Sequence, residues 1–135
     1  MYVDNRKKEY LMQYRRAVQH EEELVRQLEE VRQQYMLRSQ QLDGMPRSGG
    51  ASDLSDYAAR YDELLTALCD AASRTLELRK DITQRIESMS NEVEKTILHM
   101  YYISGYKFEY IGHKIGYSER WIQYLHGVAL QNLEL

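Results

Sequence analysis

Between Val3 and Leu42 the chain carries Tyr10, Tyr14, Ala17, Leu24, Leu28, Val31, Tyr35 and Leu42 on alternating steps of three and four. With no Pro or Gly in the stretch, this spacing predicts one long helix with a heptad seam. Glu21 and Arg38 are polar seam positions, while Leu11, Val18 and Val25 widen the stripe on one side, as a packed helical bundle requires. Roughly 40 residues of helix span about 60 Å. A second seam, carried by Tyr61, Leu64, Leu68, Ala71, Leu78, Ile82 and Met89, predicts a helix of similar length that starts near Asp53 or Ser55 and runs to about Met89. The Gly- and Pro-containing run from Asp43 to Ser52 separates the two and reads as a linker. The two helices are expected to fold back antiparallel and bury their stripes on each other, although the same stripes could pair between chains.

Beyond Met89 the pattern shortens. Asn91 followed by Glu94 has capping-box spacing, with the Glu expected to reach back to the start of its helix. Val93, Ile97, Leu98, Tyr101 and Tyr102 give that third helix an apolar face before Gly105 ends it. A short fourth helix is predicted from Phe108 to Ile115, stopped by Gly116, and a fifth is capped by Ser118 with Ile122, Leu125, Ala129 and Leu133 on its inner face. The expected fold is therefore all-α: a long antiparallel, coiled-coil-like hairpin over 1–89 with its linker at 43–52, then a three-helix module over 90–135.

The last two helices fit a helix-turn-helix. Ile111 and Ile115 are expected to face the core, Gly112 to let the helices approach, Gly116 to make the turn, and Tyr117, Ile122 and Leu125 to complete the packing. The 3.6-residue period then turns Ser118, Glu119, Arg120, Gln123 and Tyr124 outward, where they would meet DNA. Arg120 suits guanine, Gln123 suits adenine, and Tyr124 or Ser118 suits a phosphate. Lys107, His113 and Lys114 could add backbone contacts from the preceding helix. The competing reading is a solvated polar face on an ordinary bundle.

Charge tempers this picture. The 135 residues hold 18 Lys and Arg against 21 Asp and Glu, a net charge of -3, so bulk charge does not draw the chain to nucleic acid. Cys69, the single cysteine, rules out an intramolecular disulfide and is expected to be a core thiol beside Leu65, Leu68 and Ala72. His99, His113 and His126 lack ligand-like spacing, so no metal or other cofactor is expected, and no arrangement suggests an enzyme. No segment approaches the ~20 apolar residues of a membrane span. Of the 12 Tyr residues, most are expected to be buried or half-buried, with a minority at a protein interface.

The stretch Asn91 to Leu133 resembles region 4 of the sigma-70 family, as found in small regulators of phages and prophages of Gram-positive bacteria. Glu94, Ile97, Leu98, Tyr101 and Tyr102 sit where that family has its first helix. Glu109-Tyr110-Ile111-Gly112 is similar to its Glu-x-Ile-Ala motif, and Gly116-Tyr117-Ser118-Glu119-Arg120, with Ile122, Leu125, Ala129 and Leu133, to its turn and recognition helix. Gly44-Met45-Pro46-Arg47-Ser48-Gly49-Gly50 followed by Asp53 is similar to the linker of an uncharacterised phage family carrying the same C-terminal module. The resemblance implies a cytoplasmic regulator in a bacterial host that binds double-stranded DNA, contacts RNA polymerase, or both. The fifth helix departs from the family in having Arg120 and no Lys. Oligomerisation through the long helices, which doubles the contact set, is therefore part of the same expectation. The alternative is a helical adaptor that binds RNA polymerase or another protein without touching DNA.

Overall fold

The computed structural model describes residues 5–41 and 50–135, with the side chains of 41 and 50–52 left aside. Five helices and one π-helical turn occur among these residues, and no strand. Helix α1 runs Asn5–Gln41 and α2 runs Gly50–Glu87, and the two pack against each other. Helix α2 thus begins before the Asp53 or Ser55 start that its composition suggests; the rest of the linker, with Gly44, Pro46 and Arg47, lies outside the described residues. Among the described residues no helix is long and apolar enough to cross a membrane.

The chain divides into two compact units, and the division does not fall at residue 89. One unit joins the described residues up to Val18 to Thr75–Leu135; the other is Gln19–Arg74. In the 19–74 unit Leu24 and Leu28 are buried on the predicted seam, and Tyr35 stacks on Tyr57 with ring centroids 4.2 Å apart. Val25, one of the residues expected to widen the packed stripe, is instead 48% exposed. Cys69 is also exposed, because it lies one residue past the seam position Leu68 and so turns away from α1.

In the other unit the base of the hairpin and the C-terminal helices share one core. Leu11 and Tyr14 of α1, Ile82 and Ile86 of α2, and Met89 two residues past the end of α2 meet Leu98, Tyr102, Ile103, Ala129, Leu130 and Leu133. Burying aliphatic side chains of this size stabilises by about 1.5–3 kcal/mol each, so this shared core is what holds the C-terminal helices in place. Polar ties fix the register. Tyr10 donates to Asp81, and burial, together with this bond, pushes its hydroxyl pKa up to about 12, while Lys7 donates to the Gln131 carbonyl at 2.9 Å, supplying a cation to the end of a helix whose last turn has none.

Helix α3 spans Glu92–Leu98 and runs on into a π-helical turn, His99–Ile103, before Gly105 reverses the chain at φ +80°. Asn91 caps α3 by accepting from the Glu94 N–H at 3.0 Å. The Glu94 side chain does not complete a capping box. It is buried and accepts two bonds from Asn132, at 2.9 and 3.1 Å, tying α3 to the end of the last helix.

The wide π turn lets consecutive tyrosines both face inward. Tyr101 stacks on Phe108 at 4.3 Å, the Arg15 guanidinium lies over the Tyr101 ring at 4.7 Å from its centre, and the Tyr102 hydroxyl lies 2.7 Å from His126 Nε2. Burial, and secondarily the charge of Lys8, lowers the His126 pKa to about 4, so near neutrality the ring is unprotonated and Nε2 accepts from Tyr102. Since the folded ring resists a proton that the unfolded one takes up near pH 6.5, stability is fully present above that pH and falls as pH drops towards 4. With residual solvent screening of the half-buried ring, the loss between pH 7 and 5 should be about 1–2 kcal/mol. His126→Phe should flatten this limb in chemical denaturation measured at the two pH values; an undiminished slope would assign it to other groups.

A candidate nucleic-acid interface

Helix α4, Phe108–Ile115, and helix α5, Glu119–Asn132, have the bounds that the apolar pattern predicts to within a residue. Ile111 of α4 is fully buried against Ile97 and Ile122, and partly buried Val93, Phe108, Ile115 and Leu125 pack around them. The turn is set by two glycines with different tasks. Gly116 adopts φ +82°, a left-handed conformation that costs an L-residue about 1–2 kcal/mol. Gly112 has an ordinary φ but no room: a Cβ there would lie 2.4 Å from the Tyr117 carbonyl oxygen and 3.4 Å from Ile122. The close approach has a cause, because the Gly112 carbonyl accepts from both Gly116 N–H, at 2.9 Å, and Tyr117 N–H, at 2.8 Å.

Ser118 caps α5 by accepting from Trp121 N–H at 3.1 Å. Ile122, Ala129 and Leu130 bury the inner side of α5, and its outer side is left to solvent. Ser118, Glu119, Arg120, Gln123 and Tyr124 are all exposed, as are Lys107 just before α4 and His113 and Lys114 within it. Among these side chains the fixed charges are three cations and one carboxylate, Glu119, with Glu109 nearby on α4. The patch is thus weakly positive on a chain that is negative overall.

What the sequence reading missed is the aromatic character of this face. Tyr117 was expected to complete the packing but is 42% exposed, because the αL turn at Gly116 directs it outward. Tyr106, Tyr110 and Tyr124 are exposed as well, so four of the six tyrosines in the last third lie at the surface. Trp121 stacks on Tyr124 at 5.0 Å, and Tyr106 lies 4.5 Å from Tyr110. Tyr106, Tyr110 and Tyr117, with Lys107, Glu109 and His113, line an open groove. Helical spacing alone carried part of the signal: Tyr110 lies on a face of α4 that avoids Ile111 and Ile115, and Trp121 sits one residue before the inward Ile122. Comparison with protein-family models, with curated proteins and with solved structures finds no match to this chain.

The two glycines should respond differently to the same substitution. Gly112→Ala meets backbone that cannot move without losing two hydrogen bonds, and should cost about 2–3 kcal/mol in urea denaturation. Gly116→Ala meets open space and should cost about 1 kcal/mol, from conformation alone. Equal costs would mean that the turn does not depend on the approach at Gly112.

Proposed function

We propose that this protein is a DNA-binding transcription regulator that reads a promoter or operator with α5, within a module similar to region 4 of the sigma-70 family. The observation that supports this best is the pairing of a short α4 with α5 across a left-handed Gly116, with α5 anchored by Ile122 and Ala129 while Arg120 and Gln123 stand free of the core. A reading helix needs this division: an apolar side that fixes its angle, and polar side chains long enough to reach base edges in the major groove. Arg120 would bond guanine and Gln123 adenine. Ser118, Tyr124, Lys107, His113 and Lys114 would hold the phosphates, and Glu119, at the rim, would disfavour phosphate at its own position. The uncapped N–H groups of the first turn of α5 add a partial positive charge on the same side.

A second reading rests on the exposed aromatics. Tyr, Trp and Arg are the residues most enriched at the centres of protein interfaces, and Tyr106, Tyr110, Tyr117, Trp121 and Tyr124 expose more ring surface than phosphate contacts require. An adaptor that engages RNA polymerase through this face would use them.

Recovery of bound fragments from the genome, followed by fluorescence anisotropy on the recovered site, separates the two. The regulator is expected to lose binding by 10- to 100-fold, about 1–3 kcal/mol, in Arg120→Ala with Gln123→Ala. With Lys107, Lys114 and Arg120 neutralising phosphates, the log–log salt slope should be about -3 per copy. Polymerase association that survives the double substitution, with no fragment recovered at physiological salt, would instead establish the adaptor.

A further inference from the structure

Charge is spread unevenly along this chain. Residues 5–18 hold Arg6, Lys7, Lys8, Arg15 and Arg16 against the single carboxylate of Glu9, on a protein whose net charge is -3. The rest of the chain is therefore more acidic than the whole. These residues belong to the same compact unit as α5, and three contacts fix where they lie. Lys7 donates to the Gln131 carbonyl at 2.9 Å, near the end of α5. One turn further on, Leu11 is fully buried in the core that holds Ala129 and Leu130. After another turn Arg15 donates to the Tyr101 carbonyl and lies over the Tyr101 ring, whose centre is 5.4 Å from that of His126. The start of α1 thus runs beside the second half of α5, from Gln131 back to His126.

Most of these cations are already committed. Arg15 serves Tyr101, Arg16 pairs with Glu9 at 2.9 Å, and Lys7 holds Gln131. Lys8 is different. It stands seven residues before Arg15 and so shares its direction, towards His126, whose ring feels its charge. Its side chain is exposed and makes no ion pair among the described residues. On α5, His126, Gln123 and Gly127 fall within about 100° of one another around the helix. Lys8 therefore borders the edge of α5 on which Gln123 stands.

The same edge has a gap. Gly127 sits in the middle of α5, although glycine is among the poorest helix formers, and a Cβ built there would meet nothing within 4 Å. Gly112 and Gly116 answer to the turn; no contact within the described residues calls for Gly127. What a glycine supplies at such a place is close approach by a surface outside the chain. Gly127 stands four residues after Gln123 and seven after Arg120, on the side of α5 that carries both. A bare stretch of helix beside a cation without a partner suits a phosphate, which needs a charge to bind and room for its bulky backbone. Glu119, the carboxylate on this side of α5, lies two turns away towards its start.

We infer that the start of α1 is a second DNA-contacting element, in which Lys8 holds a phosphate of the strand that passes over Gly127 while α5 reads the groove beside it. The inference rests on the proposal that α5 reads DNA, and it adds to the contact set a cation that α4 and α5 lack.

Anisotropy on a DNA fragment recovered from the genome, measured across a salt series with the full chain, tests this. Lys8 should steepen the log–log slope from the value of about -3 that α4 and α5 account for to about -4. Lys8→Gln should return it to about -3 and weaken binding roughly fivefold at 0.1 M salt, equally on the recovered site and on one altered at the bases α5 reads. Lys8→Arg should restore both. Gly127→Leu should raise the urea midpoint, because leucine is the better helix former, and yet weaken binding about tenfold. If Lys8→Gln changes neither slope nor affinity while the recovered site is still bound, the α1 contact is overturned and the reading by α5 stands. Wild-type binding by Gly127→Leu would overturn the passage over that residue, and a wild-type chain that binds no fragment would remove the α1 contact together with the reading it rests on.

Discussion

The contact between the base of the hairpin and the inner side of α5 governs the C-terminal unit, because it decides which surface of that helix remains exposed. Leu11, Ile82 and Ile86 are fully buried in the same core as Ala129, Leu130 and Leu133. A helix of 14 residues is marginal in isolation, so α5 takes its angle and rotation from this packing and not from its own propensity. Once Ile122, Ala129 and Leu133 are committed inward, the helical period leaves Arg120, Gln123 and Tyr124 no choice of direction. The surface proposed for recognition is in this sense what the core does not use.

Polar contacts within the unit act on register more than on stability. Glu94 takes both of its bonds from Asn132, thirty-eight residues away, and Tyr102 meets His126 across a gap of twenty-four. Each is a demand that only one alignment of α3 with α5 satisfies, since a buried carboxylate or imidazole without a partner costs more than its hydrogen bond returns. The apolar core alone would tolerate a slide of one turn. These pairs do not.

Much of the fold was legible because helices announce themselves by period. The limits of α4 and the cap of α5 follow from Gly116 and Ser118, whose conformational roles are local and so can be read without knowing the neighbours. What escaped the reading depends on partners distant in sequence. Glu94 looks like a capping residue until Asn132 claims it. Tyr117 looks like packing until the left-handed turn rotates it away. Val25 and Cys69 look like core because they are apolar beside a seam, yet a two-helix hairpin covers only one direction of each helix, and among the described residues of 19–74 no third element receives them.

Three cations against two nearby carboxylates give the α4–α5 surface little long-range attraction, and the chain as a whole repels a polyanion. A single copy must then rely on short-range contacts, stacking by Trp121 and Tyr124 among them, whose energy is realised only at close fit. Two copies acting together on the proposed DNA site would raise the avidity by about 10²–10⁴ without any new cation, and would favour sites that present the element twice.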